Sequence, residues 1–282
     1  MIAVVGGLGA AFAWATATMT ATRAARLIPP TSVLAWVMLT GLVVTLPWAV
    51  VQGAPHIGSS SAAWLLVSGA GNCAGLLLVY SALRIGKVGV VAPIVSTEGA
   101  IAAIIAVAAG ETLAAGTVLA LAVVATGTIL AGTTGEPTAV GSMHGRKAVL
   151  LACAAAVSFG VSLYATGQVG SELPLVWAIL PARVFGVLVI AIPLALAGRL
   201  TLTRRAAPFV VGSGLAEVVG VSSYALGARH GIAVSAVLAS QFGAVAAIAA
   251  YLLFHERLGG PQTVGVVAIA AGVAALTALQ AA

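Results

Sequence analysis

Residues 90–111 read "VVAPIVSTEGAIAAIIAVAAGE". One charge stands inside this run, Glu98, and every neighbour as far as Glu111 is apolar, small or hydroxyl-bearing. An acid in so apolar a stretch does nothing for solubility. It marks a polar pathway or a buried partner inside a membrane helix. The whole chain has the same character. Of 282 residues, 61% are hydrophobic and 6% charged, against about 25% charged in an ordinary soluble domain. The expected class is an all-α integral membrane protein embedded in a lipid bilayer. All six acids are glutamates. A net charge of +6 would suggest nucleic acid in a soluble protein. Here the arginines fall in short loops between apolar runs, so the basic excess is a topology signal and no nucleic-acid partner is expected.

A helix needs about 20 apolar residues to cross about 30 Å of hydrocarbon. Charges, prolines and polar clusters divide the chain into ten such segments: 3–22, 33–51, 62–82, 88–109, 114–132, 148–168, 174–197, 208–228, 232–254 and 260–280. The chain enters an apolar segment without a basic leader or cleavage site, so the first helix is expected to act as its own insertion signal. Cys73 and Cys153 both sit inside apolar runs and read as small buried hydrophobes.

The chain repeats itself at an offset of 145 residues. Ser68-Gly69 matches Ser213-Gly214, Gly75 matches Gly220, and Arg84 matches Arg229. Gly86 matches Gly231, Glu111 matches Glu256, Leu113 matches Leu258, and Gly127 matches Gly272. The Arg and Glu matches weigh most because charged residues are so scarce. Two five-helix repeats are expected, residues 1–132 and 148–282, joined by a polar loop over 133–147. Five spans is an odd number, so the second repeat must enter the membrane from the opposite side. Inverted repeats of this kind build transporters with a substrate site near the midplane. Loops after spans 1, 3, 5, 7 and 9 hold Arg23 and Arg26, Arg84 and Lys87, Arg146 and Lys147, Arg199, Arg204 and Arg205, and Arg257. Loops after the even spans hold Arg229 alone. The positive-inside rule then places both termini outside the cytoplasm.

Spans 4 and 9 with their exits read "VVAPIVSTEGAIAAIIAVAAGETL" and "VSAVLASQFGAVAAIAAYLLFHERL". They end in Gly110-Glu111-x-Leu113 and Glu256-Arg257-Leu258, and span 1 carries "FAWA". These features resemble the ten-helix EamA-type transporters of the drug/metabolite transporter superfamily, over essentially the whole chain. The resemblance implies a ten-helix bundle with a central cavity walled by spans 1, 3, 4, 6, 8 and 9. It also implies carriage of amino acids, other metabolites or drugs, by proton coupling or by exchange against a counter-substrate, with no cofactor. Two features depart from the family pattern. Many relatives carry proline where this chain has Glu98 and Gly243, and characterised relatives keep both termini in the cytoplasm.

Three charges lie near span centres: Glu98, Arg183 and Glu217. Each costs roughly 2.5–3.5 kcal/mol to insert, so each needs a partner or a water-filled cavity. Glu98 is read as a proton-coupling or cation-binding group, able to load a proton on one side and release it on the other. The alternative is a side chain hydrogen-bonded between helices. Glu217 is the second proton-coupling candidate. Its equivalent in the first repeat is Asn72, at the same depth of span 3, either across one site or bonded at a helix interface. Arg183 either holds a substrate carboxylate or phosphate or neutralises Glu217 or Glu98. Thr97, Ser240 and Gln241 are polar members of the two matching spans, and Trp14, Tyr80 and Tyr164 are aromatic candidates for a cavity wall, with Tyr224 beside them. Glu111 and Glu256, at helix exits, read as structural complements to a helix N-terminus. The motifs HExxH and GxSxG are absent and the four histidines are scattered, so no enzyme is expected. The function expected is secondary transport, with export of a small molecule the favoured direction and a monomer the favoured state; the alternatives are an uncoupled facilitator or exchanger whose buried charges are structural, and a membrane interaction protein that moves nothing.

Overall fold

A backbone inside hydrocarbon must satisfy every N–H and C=O within its own segment. Among the described residues the regular structure of this chain is accordingly all helical. The computed structural model describes residues 1–86, 88–131, 143–245 and 260–281. Lys87, most of the connecting loop with Glu136, and the exit of span 9 with His255, Glu256, Arg257 and Leu258 lie outside the described residues.

The amino-terminal half comprises α1 (Ile2–Leu27), α2 (Pro30–Gln52), α3 (Ser59–Ile85), α4 (Val88–Val95), α5 (Glu98–Ala108) and α6 (Ala115–Ala131). The rest comprises α7 (Met143–Glu172), α8 (Val176–Gly186), α9 (Ile192–Leu196), α10 (Ala207–Ala228), α11 (Ile232–Ala239) and α12 (Gly260–Ala281). A π-helical stretch, Val187–Ala191, joins α8 to α9, so the three pieces form one span. Among the described residues, six helical spans are long and apolar enough to cross a membrane, and four shorter apolar helices accompany them.

Spans 4 and 9 depart from the continuous helices expected of their hydropathy. Span 4 breaks at Ser96-Thr97 and span 9 at Ser240-Gln241. At each break a shorter i−3 bond replaces the α-helical one: Thr97 N–H donates to Ile94 O at 3.2 Å, and Gln241 N–H to Leu238 O at 3.2 Å. The hydroxyl at each break turns back on the preceding turn. Thr97 Oγ1 donates to Ile94 O at 2.7 Å and Ser240 Oγ to Val237 O at 2.8 Å. Such tightened turns inside helices mark hinges.

Helix α1 packs along α10, α3 along α7, α6 along α12, and α5 across α11. Small residues allow the close approaches, as expected where apolar lipid gives no hydrophobic drive to association. A Cβ on Gly220 of α10 would collide with the Trp14 indole of α1. A Cβ on Gly75 of α3 would lie 2.6 Å from ring carbons of Phe159 of α7. Phe159 and Gly220 stand 145 positions after Trp14 and Gly75, respectively.

Candidate functional site

These packed helices leave a central cavity of about 740 Å³, counting its open mouth. Trp14 reaches it from α1, Asn72 and Tyr80 from α3, Glu98 from the first turn of α5, and Glu217 and Tyr224 from α10. Phe159, Ser162 and Thr166 of α7 and Phe242 complete much of the remaining wall. Half of the ten residues singled out from sequence are therefore brought together: Trp14, Asn72, Tyr80, Glu98 and Glu217.

Glu98 is 4% exposed. Among the described residues its carboxylate makes no hydrogen bond and no ion pair. It opens α5 directly after the break, so its side chain sits at the positive end of a half-helix. Glu217 has a partner: Arg183 Nη2 stands 3.7 Å from its Oε2. Arg183 is fully buried in α8, outside the cavity wall, and its Nη1 points to Met38 Sδ at 3.6 Å. The close approach of α2 at Gly41, where a Cβ would lie 2.7 Å from Arg183 Cδ, makes room for the side chain. Of the two sequence-level readings of Arg183, this geometry is the pairing one.

The other four candidates lie elsewhere. Thr97 and Ser240 line a second, smaller cavity of about 270 Å³ with Ser96 and Thr128, where the two broken spans meet α6. Gln241 is tied down there: its Oε1 accepts from Thr128 Oγ1 at 2.7 Å and its Nε2 donates to Val237 O at 2.8 Å. Tyr164 packs edge-on against Trp64 with ring centroids 5.6 Å apart, and its hydroxyl accepts from Gln168 Nε2 at 2.9 Å. Neither Gln241 nor Tyr164 lines the central cavity.

Sequence reasoning passed over Phe159, Phe242, Ser68, Ser162 and Thr166. One signal was available for the first, because adding 145 to Trp14 gives Phe159, an aromatic at the same depth of the matching span. Each of the three hydroxyls has a partner. Ser68 Oγ and Thr166 Oγ1 are 2.6 Å apart, and Ser162 Oγ donates to Ser68 O at 2.9 Å. Tyr224 is likewise held, its hydroxyl donating to Leu163 O at 2.7 Å. Glu111 receives a more specific structural role than its sequence suggested. Its carboxylate accepts the Ala233 N–H at 3.2 and 3.3 Å, so it caps α11 from across the bundle and not the helix that follows it. No cluster of three or more His, Cys or Glu side chains offers a metal site among the described residues.

Membrane-length helices surrounding a buried, acid-bearing cavity define a multi-pass membrane protein. Residues 1–133 match the model of the EamA-like transporter family, the family that the exit motifs resemble. That match covers the amino-terminal half of the chain. One solved crystal structure superimposes with a TM-score of 0.76 at 18% identity, covering 98% of this chain and 96% of the other, a likeness of fold. No curated protein matches the sequence.

Proposed function

We propose that the protein is a secondary transporter that carries a small metabolite or drug, with export across the cytoplasmic membrane its working direction and the monomer its working unit. Two inverted five-helix halves, 1–132 and 148–282, flank the cavity. Support for the inversion comes from pairing: α1 with α10 and α3 with α7 are exchanged by the 145-residue offset, while α6 with α12 maps onto itself. Trp14, Asn72 and Tyr80 contact the substrate, and the breaks at Thr97 and Ser240 let the halves of spans 4 and 9 reorient. Gln241 and Tyr164 hold the surrounding helices, and Arg183 neutralises Glu217.

Glu98 carries the coupling proton. The observation behind this role is its combination of burial, cavity access and lack of any partner among the described residues. A carboxyl group already committed to an arginine has little freedom to exchange protons. Glu98 has no such commitment, which puts Glu217 second. The experiment is uptake into proteoliposomes under an imposed pH gradient, screening amino acids and tetraphenylphosphonium, with wild type beside Glu98→Gln. Saturable, gradient-driven flux that disappears in Glu98→Gln is expected. Undiminished uphill flux in the variant would remove Glu98 from the coupling role. A second reading, an uncoupled facilitator or exchanger, draws support from the closed Arg183–Glu217 pair. It predicts flux down the substrate's own gradient, equal in both proteins and indifferent to the pH gradient.

A further inference from the structure

We propose that the central cavity selects organic monocations, with the positive group held by Glu98 and the apolar body laid against the rings of Trp14, Phe159, Tyr224 and Phe242. This rests on the reading of the cavity as the substrate site. Charge comes first. Glu98 is an acid facing the cavity with no counter-ion among the described residues, and a buried charge without a partner favours a ligand that supplies one. The other nearby charges cancel, since Glu217 is paired with Arg183. Arg183 itself is fully buried behind the wall, and among the described residues no lysine, arginine or histidine lines the cavity. An anion would meet the carboxylate with nothing to offset it. A zwitterionic amino acid would place its amine well and leave its own carboxylate unpartnered.

The rest of the wall discriminates in the same direction. Trp14 and Tyr224 form a tilted pair with ring centroids 6.2 Å apart, and the aromatic faces of such a wall attract cations while burying apolar surface. A polyol would need several free hydroxyl partners, but Ser68 and Thr166 bond each other and Ser162 donates to the Ser68 carbonyl, which leaves chiefly the Tyr80 hydroxyl. Asn72 adds an acceptor, because its Oδ1 is buried without a donor. An acid, an acceptor and aromatic faces are the fittings for a protonated or quaternary amine with a ring system attached.

The test is equilibrium binding of radiolabelled tetraphenylphosphonium to the purified full-length protein in detergent, with tetraphenylborate as a competitor of the same shape and opposite charge. Saturable binding of one tetraphenylphosphonium per chain is expected, with no competition from tetraphenylborate. Glu98→Gln, checked for monodispersity, should weaken binding at least about tenfold, the scale of one charge-assisted contact. Equal affinity for the two ions, unaltered binding in Glu98→Gln, or no tetraphenylphosphonium binding would each overturn the proposal. The comparison of the two ions on wild-type protein stands even where the variant does not fold. Binding needs no flux, so a bound but unmoved cation would count against transport and for this site. Saturable flux of an anion or a neutral solute would do the reverse.

Discussion

Removing Arg183 should be costly, and removing Glu217 with it should not. The guanidinium is fully buried and the Glu217 side chain is 8% exposed, with 3.7 Å between Nη2 and Oε2. Arg183→Met keeps most of the side-chain volume in a flexible, apolar form and leaves Glu217 buried without its counter-charge. Breaking one side of such a pair costs about 3–5 kcal/mol. Glu217→Leu strands the guanidinium instead, whose Nε already lacks a hydrogen-bond partner, and should cost a similar amount. The double variant has no charge left to desolvate. Replacing a buried pair by packed apolar groups is often neutral or stabilising, so it should be more stable than either single variant. The assay is unfolding of the purified protein in mixed micelles of rising denaturing-detergent content, read by helical circular dichroism, for all four members of the cycle. Two results would refute the reasoning: Arg183→Met as stable as wild type, or a double variant whose loss equals the sum of the singles. Additivity would mean that the 3.7 Å approach carries no coupling.

Helix contacts and one cap supply the remaining predictions. Gly220→Ala and Gly75→Ala each drive a Cβ into an aromatic ring, Trp14 or Phe159, and should each cost about 1–3 kcal/mol by overpacking. Thermal unfolding checks this, and a variant as stable as wild type would show that the ring yields freely. Glu111→Ala removes the acceptor that caps α11 and should cost about 0.5–2 kcal/mol, while Glu111→Gln keeps an oxygen facing Ala233 and should lose less. Equal losses in the two would assign the role to charge rather than to the hydrogen bond.

The spans were legible because hydropathy and length control them. Nine of the ten expected segments overlie helices described to within a few residues of their limits, and the described part of span 9 begins at Ile232 as expected. Glu98 and Glu217 were legible as site candidates because charge is scarce in the chain, so each instance carries information. Helix rotation was not legible. Asn72, Tyr80 and Trp14 face the cavity while Tyr164 faces Trp64, yet all lie in runs of Ala, Gly, Val and Leu with polar residues on several faces. A membrane helix has an apolar exterior as well as an apolar interior. The contrast that reveals the buried face of a soluble helix is therefore missing. The commitments of Gln241 and Glu111 were hidden for another reason: their partners, Thr128 and Ala233, are distant in sequence.

The breaks in spans 4 and 9 escaped notice because nothing in their hydropathy interrupts the runs. Their cause is visible only when both are seen together. A Cβ on Gly99 would lie 2.5 Å from Ser240 Oγ, and a Cβ on Gly243 would lie 2.7 Å from Ser96 Oγ. Each break therefore rests on a glycine of the other span, one residue past Glu98 in the first case. Ser and Thr at the breaks turn their hydroxyls onto the carbonyls of the preceding turn, the local competition that makes these residues poor in helix interiors and good at helix ends. Glu98 then follows from the same geometry. The break gives α5 a free N-terminus in mid-membrane, and a carboxylate in a first turn complements the dipole there. A continuous helix would have offered the acid no such end. Within "STEG" three consecutive residues encode the set: the Thr97 hydroxyl makes the turn, the acid uses the helix end it exposes, and the glycine admits the span that crosses it.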